Sequence, residues 1–251
     1  MRPIVFLHIP KTAGQTIHNE LTRVVGAQNV SPIRLYSQDK DCQFPPGYAL
    51  YSGHLDWHDI GSLPQNRFTF SVLRDPRERI ASFYFYTKRQ AEKLAPNELA
   101  KSSRTGMRTL LQNSVDDYFF GGAKPWQRFI NDQYNNFYCS YFATKRMRAR
   151  RFVADLPAAE LVELALQGAA QIDRIYSTTA LADLEADMAR EFGMALNLTG
   201  SFHNAAGAQG DLRWPKLLAL FEDDSAAQKL EGFVTQDLEL MRRLNQPGKS
   251  H

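Results

Sequence analysis

Two short stretches of the chain carry residue types that can hold an anion with several oxygens. The first is Pro10-Lys11-Thr12-Ala13-Gly14-Gln15-Thr16, which places one ammonium, two hydroxyls and a glycine within seven residues. Set between a strand and a helix N-terminus, such a loop turns backbone N–H groups toward one point, and the helix dipole adds partial positive charge there. Lys11 brings a full charge, and Thr12 and Thr16 bring hydroxyl donors. The GxxxxGK[ST] loop of nucleoside triphosphatases is a different pattern, because its lysine follows the last glycine whereas Lys11 precedes Gly14. The expected ligand is therefore a related nucleotide whose terminal group is not an ordinary triphosphate. The second stretch is Arg74-Asp75-Pro76-Arg77-Glu78-Arg79-Ile80-Ala81-Ser82. Arg74 offers a planar fork suited to phosphate, and Ser82, about two helical turns on, offers a hydroxyl to the same group. Either stretch alone also reads as an ordinary helix start with a solvated cation.

The elements around them predict where these residues stand. Ile4–Ile9 is β-branched and apolar, as in a strand buried on both faces of a parallel sheet, and Ile17, Leu21, Val24 and Val25 then recur at helical spacing. A short strand is expected over Tyr48–Ser52 and a strong one over Arg67–Leu73. A helix capped by Asp75 and opened by Pro76 should run to about Leu94. The middle, about 97–150, reads as a mostly helical insertion broken at Gly121-Gly122. Asp173–Ser177 reads as a further strand and Leu181–Phe192 as an amphipathic helix stopped by Gly193. Two helices, about 215–222 and 225–244, follow. Alternating strands and helices indicate one α/β domain over 1–251, a P-loop-like three-layer fold with a short parallel sheet flanked by helices. Ligands in such folds sit beyond the carboxyl ends of the strands, where both anion-suited stretches fall.

Composition narrows the class. The 251 residues are 43% hydrophobic and 23% charged, which excludes disordered and fibrous chains. No apolar run approaches the ~18 residues of a membrane span, and the start lacks a signal peptide's layout. The expectation is a soluble cytoplasmic protein, with the membrane surface as an alternative. A net charge of +3 is too small to indicate nucleic acid as a partner. Cys42 and Cys139 stand far apart outside any ligand spacing, so reduced thiols and no metal are expected.

His8-Ile9-Pro10-Lys11-Thr12-Ala13-Gly14 together with Arg74-Asp75-Pro76-x-x-Arg79-x-x-Ser82-x-Tyr84 resembles the two signature segments of sulfotransferases, most of all the Golgi-type carbohydrate branch and its bacterial relatives. The resemblance covers about 30 residues and includes the order and strand-edge setting of both segments. It implies the donor PAPS (3′-phosphoadenosine 5′-phosphosulfate). The residues from Lys11 to Thr16 (Lys11, Thr12, Ala13, Gly14, Gln15 and Thr16) would wrap the 5′-phosphosulfate, and Arg74 with Ser82 would hold the 3′-phosphate. Gln15 departs from the small hydroxyl residue that relatives often carry there. No metal is implied, since lysine and arginine supply the neutralising charge.

Transfer to a hydroxyl needs a group to take its proton. His54, after Gly53, has the right intrinsic pKa, and the Gly-His resembles the segment carrying the catalytic histidine in uronic-acid 2-O-sulfotransferases. The glucosamine-type branch uses a glutamate, and none lies between Glu20 and Glu78. His58 and Asp56 are rivals, Trp57 is a candidate platform for a sugar ring, and His8 and His18 read as packing or surface residues. Lys145-Arg146-Met147-Arg148-Ala149-Arg150-Arg151 holds five cations in seven residues. It reads as a solvated helix end or as a docking patch for an anionic glycan or membrane surface. The loop 203–211, with Gly207-x-x-Gly210-Asp211, is faintly similar to the nucleotide-covering loop of cytosolic sulfotransferases but lacks its basic pair and tryptophan. The aromatic stretch Phe129–Phe142 reads as helix core. The expected activity is sulfuryl transfer to a hydroxyl, most readily of a glycan or glycolipid. Two alternatives stay open: a P-loop-type kinase using ATP, and an inactive fold member that binds nucleotide or glycan without turnover.

Overall fold

The computed structural model describes residues 2–200 and 212–245, so the loop 203–211 lies outside the described residues. At its centre is a four-stranded, all-parallel sheet in the order β2-β1-β3-β4, with β1 (Ile4–Leu7), β2 (Leu50–Gly53), β3 (Phe68–Leu73) and β4 (Arg174–Ser177). Every residue of β1, β2 and β3 is buried, the condition that near-continuous apolar strands meet when both sheet faces are covered.

Alternation along β1 sends its side chains to two separate cores. Ile4 and Phe6 pack with Ile17 and Leu21 of α1 (Gly14–Val25) and with Leu184 and Met188 of α9 (Leu181–Phe192). Val5 and Leu7 pack instead with Phe137 and Tyr141 of α7 (Phe137–Thr144), Leu161 and Val162 of α8 (Ala158–Ala169), and Leu240 of α12 (Thr235–Leu244). The result is an α/β fold with a parallel sheet between helical layers. A third core lies beyond the sheet. It joins α2 (Pro76–Ala91) to α4 (Thr105–Gln112), α5 (Val115–Phe120) and α6 (Lys124–Tyr134), and to α10 (Arg213–Leu218) and α11 (Asp224–Gly232). A single turn, α3 (Pro96–Leu99), links α2 to this group. Among the described residues no helix is long and apolar enough to cross a membrane.

The expected helix over 225–244 is in fact two, α11 and α12, parted at Phe233-Val234. The wedge is Asn136, from a hundred residues earlier. Its N–H donates to the Phe233 carbonyl at 2.6 Å and its amide donates to the Gly232 carbonyl at 3.2 Å. Its Oδ1 accepts from the N–H groups of Gln236 and Asp237, starting α12 afresh. Asp237 returns the arrangement by accepting from Tyr138 and Cys139 N–H at the start of α7. Each helix start is thus capped by a side chain of the other, which satisfies donors that a helix leaves open.

The outer edge of β2 is covered by the segment leading to Tyr36. Ser31 N–H donates to the Leu50 carbonyl, His54 N–H to the Arg34 carbonyl and Tyr36 N–H to the His54 carbonyl, at 2.7–2.8 Å. At Gly53 a Cβ would overlap the Arg34 backbone. The glycine before His54 is therefore what lets this segment close over the sheet edge and hold His54 by both of its peptide groups.

Candidate active site

Strand order brings the two predicted stretches together. Leu7 at the end of β1 pairs with Gly53 on one side and Ser71 on the other. The residues that follow these three neighbouring strands are the Lys11 loop, His54 and Arg74.

The loop between β1 and α1 leads into a helix whose first turn has no side-chain cap. Lys11 and Ala13 both take left-handed backbone conformations, with φ of 73° and 64°, a conformation that costs about 1–2 kcal/mol in a residue with a Cβ. Thr12 is fully buried and its hydroxyl donates to the Ile9 carbonyl at 2.9 Å, so it braces the loop and its hydroxyl is not turned to a ligand. No side chain caps α1, no acid lies in its first turn, and its Ala13 carbonyl is first met by Ile17 N–H at 3.2 Å. The N–H groups of Gly14, Gln15 and Thr16 are the open donors of that helix start. Gln15 turns its exposed side chain along the helix to Asn19. Gly14 is required by packing: a Cβ there would overlap the His8 imidazole.

Cations converge on this loop. Burial, then the charges of Arg89, Arg74 and Arg213, push Lys11 down to about 8. Its ammonium lies over the Tyr86 ring, 3.6 Å from the centroid. Arg74 is held at its tip by Glu78, at 3.2 Å. Glu78 also accepts from the N–H groups of Arg213 and Trp214 at 2.8 and 2.9 Å, which docks the start of α10 beside Arg74. Ser82, on the same helix as Glu78, is buried, and its hydroxyl has no hydrogen bond to any described residue.

Across the sheet edge, three imidazoles surround a different cation. Arg34 Nη1 can only donate, so His18 Nε2 accepts from it and His18 Nδ1 carries the proton, donating to Ser52 Oγ at 3.0 Å. Burial and then Arg34 bring His18 down to about 4. His54 Nδ1 donates to the His8 carbonyl at 2.7 Å, which leaves the lone pair on Nε2. Burial, opposed by that hydrogen bond and assisted by Arg34, lowers the pKa of His54. His8 lies 4.3 Å from the His54 ring and is held well below its usual value by burial and then by His54, Arg34, His18 and Lys11. His54 is thus a neutral imidazole at pH 7 with a proton-accepting nitrogen, linked through His8 to the Lys11 loop.

The other candidates are engaged elsewhere. His58 pairs with Asp59 at 2.8 Å, and Asp56 accepts from Met147 N–H at 2.7 Å. Trp57 is fully buried, which rules it out as a sugar platform; its ring is covered by Tyr141, and Lys145 lies beyond it. The aromatic stretch 129–142 is mainly core, as expected. The basic run is no helix end in full: α7 stops at Thr144, and the rest forms an irregular turn with a single 3-10 turn at Arg150–Phe152. Arg148 lies against Tyr36 and Phe129, and Arg151 against the exposed Phe152. Arg146, Arg148 and Arg151 form no ion pair among the described residues.

Several of these side chains gave no warning in the sequence. Glu78 stands four residues after Arg74, the spacing of a helical ion pair, and that was a usable signal. Arg34, Tyr86, Arg89 and Arg213 carried none.

A comparison with protein-family models matches the sulfotransferase family across residues 2–167. A search of curated proteins finds no match. The match spans β1 through nearly all of α8 and includes the Lys11 loop, His54 and Arg74, so the chain belongs to the sulfotransferase family, whose members transfer sulfuryl groups to hydroxyl-bearing acceptors. Among the described residues no group of histidine, cysteine and carboxylate side chains is placed to hold a metal ion.

Burial, together with the crowding of cations, predicts that the Lys11 ammonium titrates near pH 8. Arg74→Ala, by removing one repelling charge, should raise that value. NMR titration of isotope-labelled lysine would read both; a normal lysine value in the wild type would show that the site neither buries nor crowds the ammonium, and an unchanged value in Arg74→Ala would show that these two charges do not converge.

Proposed function

We propose that the protein moves the sulfuryl group of PAPS to a carbohydrate hydroxyl by in-line displacement, with His54 as the base. The observation that carries this reading is the convergence of Lys11 and Arg74, without full neutralisation, beside an uncapped helix start and next to a histidine whose free nitrogen is Nε2. PAPS has two anionic ends, and the residues present suit both. The open N–H groups of Gly14, Gln15 and Thr16, with Lys11, suit the phosphosulfate. Arg74, with the unpartnered hydroxyl of Ser82, suits a 3′-phosphate. ATP has no 3′-phosphate and would leave Arg74 with Glu78 alone and the Ser82 hydroxyl unpartnered, forgoing contacts that discriminate between the two.

In this mechanism the acceptor oxygen forms a bond to sulfur while the bond from sulfur to the bridging oxygen breaks. The electron pair leaves on the 5′-phosphate, giving 3′,5′-ADP, and the acceptor's proton goes to His54 Nε2. Lys11 stabilises the charge that grows on the departing phosphate. The His8 carbonyl, by accepting from Nδ1, orients the imidazole and stabilises its protonated form. Lys11 must be charged to act, so donor affinity should fall as pH rises through about 8.

For the acceptor, support comes from the surface next to His54. Tyr36, whose N–H meets the His54 carbonyl, also packs against Arg148. Arg148 and Arg151, which form no ion pair among the described residues and stand beside Tyr36, Phe129 and Phe152, suit a sugar chain bearing carboxylates or sulfates, with rings for its apolar faces and guanidiniums for its charges.

Three outcomes test the reading. 3′,5′-ADP should raise the melting temperature and ATP with magnesium should not; the reverse would favour phosphoryl transfer. His54→Ala should lower turnover by about 10²–10⁴-fold, the usual worth of a general base, while 3′,5′-ADP still binds, and near-normal turnover would remove His54 from the role. With an anionic oligosaccharide acceptor, KM should rise with salt, and less steeply in the Arg148→Ala/Arg151→Ala double variant, with kcat retained. A salt-independent KM would argue against this surface.

A further inference from the structure

The donor reading leaves one buried hydroxyl without a role. Tyr138 on α7 is fully buried, yet its phenol oxygen makes two hydrogen bonds to a single residue of the site. It accepts from the Arg74 N–H at 3.2 Å and donates to the Arg74 carbonyl at 2.9 Å. Arg74 has just left β3, and Pro76, two residues on, has no N–H to offer. The Tyr138 hydroxyl therefore does for Arg74 what a neighbouring strand would do within the sheet: it fixes both peptide groups and with them the direction in which the side chain departs. Glu78 restrains the other end, at the guanidinium.

Tyr138 is itself held from two sides. Its N–H donates to Asp237 Oδ2 at 3.1 Å, and that carboxylate comes from α12, far along the chain. Its ring faces the guanidinium of Arg79, 5.6 Å from the ring centroid. Arg79 is also fully buried and is anchored by donating to the Gln133 carbonyl at 2.9 Å. A tyrosine braced this firmly transmits a fixed position to whatever its hydroxyl touches.

We propose that Tyr138 is a positioning residue for donor recognition, aiming Arg74 at the 3′-phosphate from inside the core. The role rests on the PAPS reading above. Phenylalanine would keep the ring, its contact with Arg79 and its backbone bond to Asp237, and would remove only the two bonds to Arg74. Arg74 would then have to be ordered by the ligand at the moment of binding, which lowers affinity.

The experiment is a double-mutant cycle on Tyr138→Phe and Arg74→Ala, with 3′,5′-ADP and 5′-AMP as probes. Both affinities are measured by calorimetry at a temperature where melting curves show every variant folded. Tyr138→Phe should weaken 3′,5′-ADP by about tenfold, the worth of one to two hydrogen bonds, and leave 5′-AMP unchanged. In the Arg74→Ala background the same change should have no further effect on 3′,5′-ADP. In turnover, KM for PAPS should rise while kcat at saturating donor is kept. Equal weakening of both nucleotides, no weakening of either, or an undiminished effect without Arg74 would each overturn the role. A wild type that binds 3′,5′-ADP no more tightly than 5′-AMP would instead overturn the donor reading, and the positioning role with it.

Discussion

Like charges held close together against their own repulsion are the constraint on which the site depends. Arg89, Arg74 and Arg213 all act on Lys11, Arg213 also acts on Arg74, and the Glu78 carboxylate already serves Arg74 and two backbone N–H groups. Burial compounds the effect by removing the water that would screen them. Burial first, and then these charges, bring Lys11 down to about 8. Such an arrangement is held in place by the rest of the molecule, and the proposed anionic donor would relieve it. The framework that holds it is the parallel sheet, whose neighbouring strands end at one edge and deliver their loops side by side.

The two helix starts at that edge are finished differently, and the difference follows from their tasks. At α2 the Asp75 carboxylate accepts from Glu78 N–H, so the helix is capped from within and carries Glu78 and Ser82 just after Arg74. At α1 nothing caps the helix, two residues with a Cβ sit in left-handed conformations, and the Thr12 hydroxyl is used to brace the turn. That end keeps its own donors open. Two glycines make the neighbouring histidine cluster possible by the same physical means, close approach. Gly14 leaves room for the His8 ring and Gly53 leaves room for the Arg34 backbone. Each is a turn residue by type and a packing residue by function.

Burial is put to opposite uses on the two sides of the sheet edge. Beside Lys11 it sharpens charge. Around Arg34 it keeps His8, His18 and His54 neutral, and the hydrogen bonds of Arg34 and the His8 carbonyl decide which ring nitrogen carries the proton. A neutral imidazole with a defined tautomer thus stands next to a group of concentrated positive charge, and the proposed transfer rests on that pair.

The strands, the loop after β1 and the Asp75-Pro76 helix start were legible in the sequence because they depend on residues close together along the chain: β-branched runs, a cap, a proline and a helical repeat. The α9 helix, Leu181–Phe192 with Gly193 after it, was readable to the residue for the same reason. What the chain's order could not convey was which distant segments would meet. Asn136 splits a helix that is continuous by periodicity, and Trp57, amphipathic by type, is buried under Tyr141. Arg34, Arg213 and Tyr138 come to the site only through the packing of β2's edge, α10 and α7. Local conformation is set by short-range sterics and hydrogen bonds and can be read one segment at a time. Exposure, ion pairing and the pKa of Lys11 are sums over every segment packed nearby, and only the assembled fold decides them.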